Sequence, residues 1–186
     1  MIQITKGNAL DGPFTKKTVL IHTCNDLGIM GAGIAGSIRQ KYPHVNNDHI
    51  RWYEDYFNGE KTDPFVLGQI QICYAEENFY ICNAIAQRDI GVRQIDGEEV
   101  IPAKLECLHE AFLRLRGRVR EAQKKDNIKI DVRAPLLSCG LAGSSIDKVY
   151  PIAAKVFDGS DFDFTFYAFS DKDFEELKSV HDGAKP

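Results

Sequence analysis

Two stretches of this chain combine small residues with strand-like and helix-like flanks in the way a phosphate-binding loop requires. The first is His22-Thr23-Cys24-Asn25-Asp26-Leu27-Gly28-Ile29-Met30-Gly31-Ala32-Gly33-Ile34-Ala35-Gly36. Here an apolar run enters a loop with glycines at 28, 31 and 33 and then a helical pattern. Glycine admits positive φ and lets a phosphate approach the backbone with no Cβ in the way. The helix starting near Gly33 adds unpaired N–H groups and the positive end of its dipole. No Gly-Lys-Ser/Thr follows, which excludes a P-loop, and the spacing is not GxGxxG with an acidic partner. The second stretch is Pro135-Leu136-Leu137-Ser138-Cys139-Gly140-Leu141-Ala142-Gly143-Ser144-Ser145. It has the same strand, small-residue turn and helix logic. Two such loops, remote in sequence, can face each other across one ligand and enclose its phosphates.

Other reactive residue types read less sharply. Cys139 has no histidine near it in sequence, and buried free cysteine is common in cores. Trp52, Tyr53, Tyr56 and Phe57 stand at the spacing of a core-covering helix. Arg114, Arg116, Arg118 and Arg120 spread around a long helix among Glu106, Glu110 and Glu121, as a solvated face does.

The elements that must position the loops follow from periodicity. Strands are expected at residues 2–5, 18–22, 69–74, 79–85, 129–137 and 163–169, the third and fourth forming a hairpin. The run at 18–22 is almost wholly apolar, as for a strand covered on both faces. Helices are expected at 33–42, ended by Pro43, and at 49–57, 103–125 and 146–157, the last capped by Ser144-Ser145. The alternation predicts an α/β fold with a mixed, roughly six-stranded sheet between helical layers. Ligands in such folds collect beyond the carboxyl ends of the strands. One domain over residues 1–170 is expected, followed by a tail at 171–186 with a short helix and a mobile end.

Composition sets bounds on function. The chain has 186 residues, 44% hydrophobic and 27% charged, with a net charge of −4, values suited to one globular domain. No basic stripe marks it as a general nucleic-acid binder. Five cysteines without a CxxC pair suggest neither a zinc knuckle nor a disulfide framework. The opening Met1-Ile2-Gln3-Ile4-Thr5-Lys6 lacks the pattern of a signal peptide, and no apolar run reaches membrane-spanning length. The expectation is a reduced, cytoplasmic monomer that contacts no membrane.

The order Lys6-Gly7-Asn8, then Ile21-His22-Thr23-Cys24-Asn25, then Gly28-Ile29-Met30-Gly31-Ala32-Gly33-Ile34-Ala35 resembles the macrodomain family. Ser138-Cys139-Gly140-Leu141-Ala142-Gly143 matches that family's second loop, and Tyr167-Ala168-Phe169 its last strand. The resemblance implies a three-layer α/β/α fold with ADP-ribose, or ADP-ribose 1″-phosphate, in a cleft across the carboxyl edge of the sheet. It implies no cofactor and no metal. Carried over, the base end is met by Asn8 and Ala9 and walled by Phe169. Asn25, Gly31, Ala32, Gly33 and Ile34 meet the distal ribose and its phosphate. Ser138, Gly140, Leu141, Ala142 and Gly143 cradle the diphosphate.

Three positions depart from the family's patterns. Asn8 replaces an aspartate that reads adenine, Gln87 stands where the glycohydrolase branches carry a lysine, and Ala142 where one of them uses an aspartate. Leu20-Ile21-His22-Thr23-Cys24-Asn25 and Lys41-Tyr42-Pro43 look more like the fungal-type ADP-ribose 1″-phosphate phosphatase branch. That likeness implies a metal-independent phosphatase in which His22 donates a proton and a carboxylate, Asp96 or alternatively Asp89, orients water. A histidine at the end of a buried strand also serves as a structural group, and Asp96 also fits a solvated turn. Binding without turnover, and hydrolysis of ADP-ribosyl groups from protein or nucleic acid, stay open beside the phosphatase.

Overall fold

The structure, a computed structural model, describes residues 2–60, 63–159 and 162–184. In chain order the elements are β1 (Ile2–Lys6), β2 (Thr18–Asn25), α1 (Gly33–Lys41), α2 (Pro43–Phe57), β3 (Ile70–Glu76), β4 (Phe79–Gln87), β5 (Arg93–Ile95), β6 (Glu98–Val100), α3 (Leu105–Asp126), β7 (Asp131–Pro135), α4 (Ile146–Phe157), β8 (Asp163–Ala168) and α5 (Asp171–Gly183). Six strands form one sheet in the order β1-β8-β7-β2-β4-β3. All neighbours are parallel except β3 and β4. These two turn at Glu77-Asn78, where Asn78 takes φ 60°. The expected mixed sheet between helical layers is what the chain forms.

Strand β2 shows why the sequence makes this choice. Val19 and Ile21 point into a core shared with Leu108, Phe112, Leu115 and Val119 of α3, Val149 and Ala153 of α4 and Leu177 of α5. Leu20 and Cys24 point the other way, against Ile38 of α1 and Val45 of α2. A strand buried on both faces has no polar face to alternate with, so it reads as a continuous apolar run. Phe157 stacks on Phe164 at 4.6 Å and meets Phe112 edge-on at 5.4 Å. Each buried phenylalanine contributes roughly 1.5–3 kcal/mol. A smaller cluster of Trp52, Phe65 and Ile85 lies beneath α2.

Four local expectations change. Strand β2 continues three residues past His22, because Thr23, Cys24 and Asn25 pair along β4 as far as Gln87. His22 is therefore inside the strand. Helix α2 begins at Pro43, since proline at a first helical position loses an N–H that had no partner anyway. A small hairpin, β5–β6, stands where a loop was expected. Helix α5, in the segment expected as a tail, packs on the main core, where Leu177 is fully buried. Of the end expected to fray, Lys185 and Pro186 lie outside the described residues. Among the described residues no helix is long and apolar enough to cross a membrane.

Candidate functional site

The strand order lays out the site. Along the carboxyl edge, the ends of β1, β8, β7, β2 and β4 succeed one another at intervals of roughly 4.8 Å. The loops leaving them line one cleft of about 700 Å³, in the range of small-molecule sites. The structure brings Asn8, Ala9, Asn25, Gly31, Ala32, Gly33, Ile34, Ser138, Gly140, Leu141, Ala142 and Phe169 to its walls. It does not bring His22, Asp96, Asp89 or Gly143 there.

The first loop is shaped by Asn25. Its Oδ1 accepts from the N–H groups of Leu27 and Ile29, both at 3.1 Å, and its Nδ2 donates to the Ile29 carbonyl at 2.8 Å. With these bonds the side chain folds the turn that presents residues 31–34. Helix α1 then opens at Gly33, with φ +57° and no atom within 4 Å of where a Cβ would stand. Its first-turn amides have no acceptor within the helix, which makes this end receptive to an anion.

The second loop leaves β7. Ser138 takes φ 58° and is buried, and its Oγ has no hydrogen-bond partner among the described residues. A buried hydroxyl without a partner costs stability, so this one is suited to an acceptor brought by a ligand. Gly140 has φ +76° and, like Gly33, open space at its missing Cβ. Residues Gly140–Ala142 form a 3₁₀ turn closed by Gly143 N–H donating to the Gly140 carbonyl at 2.8 Å. Leu141 stands exposed on the rim.

At the β1 and β8 end, Asn8 makes an Asx turn. Its Oδ1 accepts from Leu10 N–H and its Nδ2 donates to Asp11 Oδ1, each at 3.1 Å. Phe169 is 78% exposed, an aromatic face free to take a ring. Tyr167 and Asp173 line the same end. At the β4 end, Gln87 Nε2 donates to Thr23 Oγ1 at 2.8 Å, so the residue standing in the lysine position belongs to the cleft but carries no charge.

His22 is wholly buried, and its Nε2 lies 2.7 Å from Asn83 Oδ1. Asn83 donates in turn to Gln71 Oε1 at 3.0 Å, which fixes the Asn83 oxygen as acceptor and Nε2–H as donor. Burial lowers the pKa of His22 to about 4, against weaker raising contributions from Asn83 and the Thr23 backbone. The imidazole is neutral near pH 7, its proton is committed to Asn83, and Cys24 rather than His22 reaches the cleft. Asp96 and Gly97 take φ 53° and 82° at the tip of the β5–β6 hairpin, the geometry of a primed two-residue turn. Asp96 is exposed there. Asp89 holds the preceding loop: its N–H donates to Asp26 Oδ1 at 2.8 Å and its carboxylate pairs with Arg93 at 2.6 Å. The Cys139 thiol is pushed up to about 12 by burial, then by Glu176, Asp147 and Asp173, so it is no nucleophile near neutrality.

Sequence reasoning missed Thr23, Ile90, Gly91, Tyr167 and Asp173 as lining residues. Thr23 was signalled by its place two residues before Asn25. Asp173 stood in a segment read as tail, and its only signal was the capping pattern Ser170-x-x-Asp173.

No family model matches the chain. A curated relative, ADP-ribose 1″-phosphate phosphatase from Candida albicans, is 41% identical over 54 residues. That match spans 28% of this chain and 35% of the relative. A macrodomain protein from Streptomyces coelicolor aligns with a TM-score of 0.71 at 22% identity, covering 91% of this chain and 100% of that one. The macrodomain of Mycobacterium tuberculosis DarG aligns with a TM-score of 0.69 at 22% identity, over 91% and 99% of the two chains. Thermosipho africanus DarTG, solved in complex with ADP-ribose, aligns at 0.65 with 16% identity over 95% of this chain and 46% of its own. Sheet order, helical layers and these alignments agree: the chain has the macrodomain fold.

Proposed function

We propose that the cleft binds ADP-ribose. The observation that carries this reading is the pairing of two glycine-bearing loops from β2 and β7, neighbours in the sheet, around one cleft. Gly33 and Gly140 both leave room for a phosphate at the backbone, and Ser138 offers an unpaired hydroxyl. Phosphates are then met by amides and hydroxyls, with no lysine or arginine among the described lining residues. The ADP-ribose in the Thermosipho neighbour supports the same ligand. Calorimetry should give a Kd of about micromolar order for ADP-ribose, roughly −8 kcal/mol. No heat of binding at 100 μM protein would sink the reading.

A second reading, hydrolysis of ADP-ribose 1″-phosphate, is favoured by the partial likeness to the Candida phosphatase. In that step water attacks phosphorus, the bond to the anomeric oxygen breaks, and that oxygen takes a proton to leave ADP-ribose and inorganic phosphate. Loop amides would neutralise the phosphoryl oxygens. Free phosphate from ADP-ribose 1″-phosphate, and ADP-ribose released from modified protein or nucleic acid, separate turnover from binding alone. Asp96→Ala is expected to leave any phosphate release within about twofold, as exposed positions without contacts usually do. A loss beyond tenfold would restore Asp96 as the water-orienting carboxylate.

A further inference from the structure

Among the described residues lining the cleft, Asp173 is the only Asp, Glu, Lys, Arg or His. A site whose loops suit a diphosphate thus carries one charge, and its sign is wrong for phosphate. Such a carboxylate fits only where the ligand offers hydrogen-bond donors, because an ionised carboxylate can accept and never donate. The fold puts it at that end. Asp173 lies in the first turn of α5, just after β8, while the phosphate loops leave β7 and β2. Gly7 N–H donates to the Ala168 carbonyl at 2.9 Å, and Lys6 pairs with Asp171. These bonds tie the end of β1, with Asn8, to the start of α5, beside the aromatic faces of Tyr167 and Phe169.

Asn8 is already engaged on both its oxygen and its nitrogen, by Leu10 N–H and Asp11. Asp173 is held differently. Ser170 Oγ accepts from Asp173 N–H at 3.1 Å and donates to Asp173 Oδ2 at 2.7 Å. That exchange fixes the carboxylate and leaves Oδ1 with no hydrogen bond among the described residues. We propose that Asp173 reads the base of the bound nucleotide, accepting from the exocyclic amino group of adenine and rejecting a base that presents a carbonyl there. This rests on the cleft being the nucleotide site.

The test compares ADP-ribose with its hypoxanthine counterpart, in which a carbonyl replaces the amino group. The intact protein should prefer the adenine ligand by about tenfold to a hundredfold, the scale of a charge-assisted hydrogen bond. Asp173→Asn, which can donate as well as accept, should bring the ratio to within about threefold of unity. Glu175→Gln, which removes one negative charge from an exposed position of the same helix outside the cleft lining, should keep the preference. Equal affinity of the intact protein for both ligands overturns the assignment without any variant. An unchanged ratio in folded Asp173→Asn overturns it too. Binding of neither ligand by the intact protein overturns the nucleotide site itself, a result distinct from equal binding of both.

Discussion

Gly31→Glu is expected to weaken ADP-ribose binding at least a hundredfold while the protein unfolds within a few degrees of the parent. The position separates ligand effects from folding effects. Gly31 lies outside the positive-φ region, and a Cβ there would meet only Ile29 Cγ2, at an ordinary 3.8 Å. A side chain therefore costs the fold little. At Gly33, by contrast, any side chain would carry the strain of a left-handed backbone. A glutamate at 31 sets a negative charge on the cleft wall beside the amides assigned to phosphate. With an effective dielectric of about 20 and a separation near 5 Å, each pair of like charges costs roughly 3 kcal/mol, which is about a hundredfold. Gly31→Ala is the control and should bind within about threefold of the parent. Calorimetry and thermal melts on both variants decide the matter. Full binding by Gly31→Glu would mean that the phosphates do not lie against this loop.

That test is available because the loops were legible in the sequence. The first follows β2, whose apolar run reflects burial on two faces, the second follows β7, whose burial alternates, and both loops are so poor in side chains that little besides backbone can make contact there. What was not legible depended on where elements dock. The length of β2 turned on Thr23, Cys24 and Asn25, of which only Thr23 favours a strand, and they pair because β4 extends beside them. The three extra residues put His22 inside the sheet, where it bonds Asn83. Pro43 read as a stop because proline breaks a helix from within, yet it also suits the first position of the next one. The β5–β6 hairpin carried its turn signal in Asp96-Gly97, but its flanks, Arg93-Gln94-Ile95 and Glu98-Glu99-Val100, are exposed and lack the apolar alternation that marks a half-buried strand. Asp173 could not be placed before α5 was known to pack on the sheet.

The two buried histidines make the fold acid-labile, and the expected loss is roughly 5 kcal/mol between pH 7 and pH 4.5. His49 is wholly buried among Trp52 and Phe65, and neither ring nitrogen has a hydrogen-bond partner among the described residues. Burial lowers its pKa to about 3, with a further lowering from nearby His22, which itself sits at about 4. In the unfolded chain both return to about 6.5. Both folded values are depressed, so below pH 6.5 the unfolded state takes up protons that the native state excludes. The stabilisation is intact above about pH 6.5 and falls away as the pH drops toward 4. Each histidine adds a slope of about 1.4 kcal/mol per pH unit in that window. Urea titrations at intervals from pH 7.5 to 4.5 should show it. His49→Leu should remove half of the slope at little cost at pH 7.5, since it fills an apolar site of similar volume and deletes two unpaired polar atoms. Acid-sensitive carboxylates such as Asp126, held low by Lys17, act equally in both proteins and cancel in the comparison. Identical pH profiles for parent and variant would show that His49 is not kept neutral in the native core.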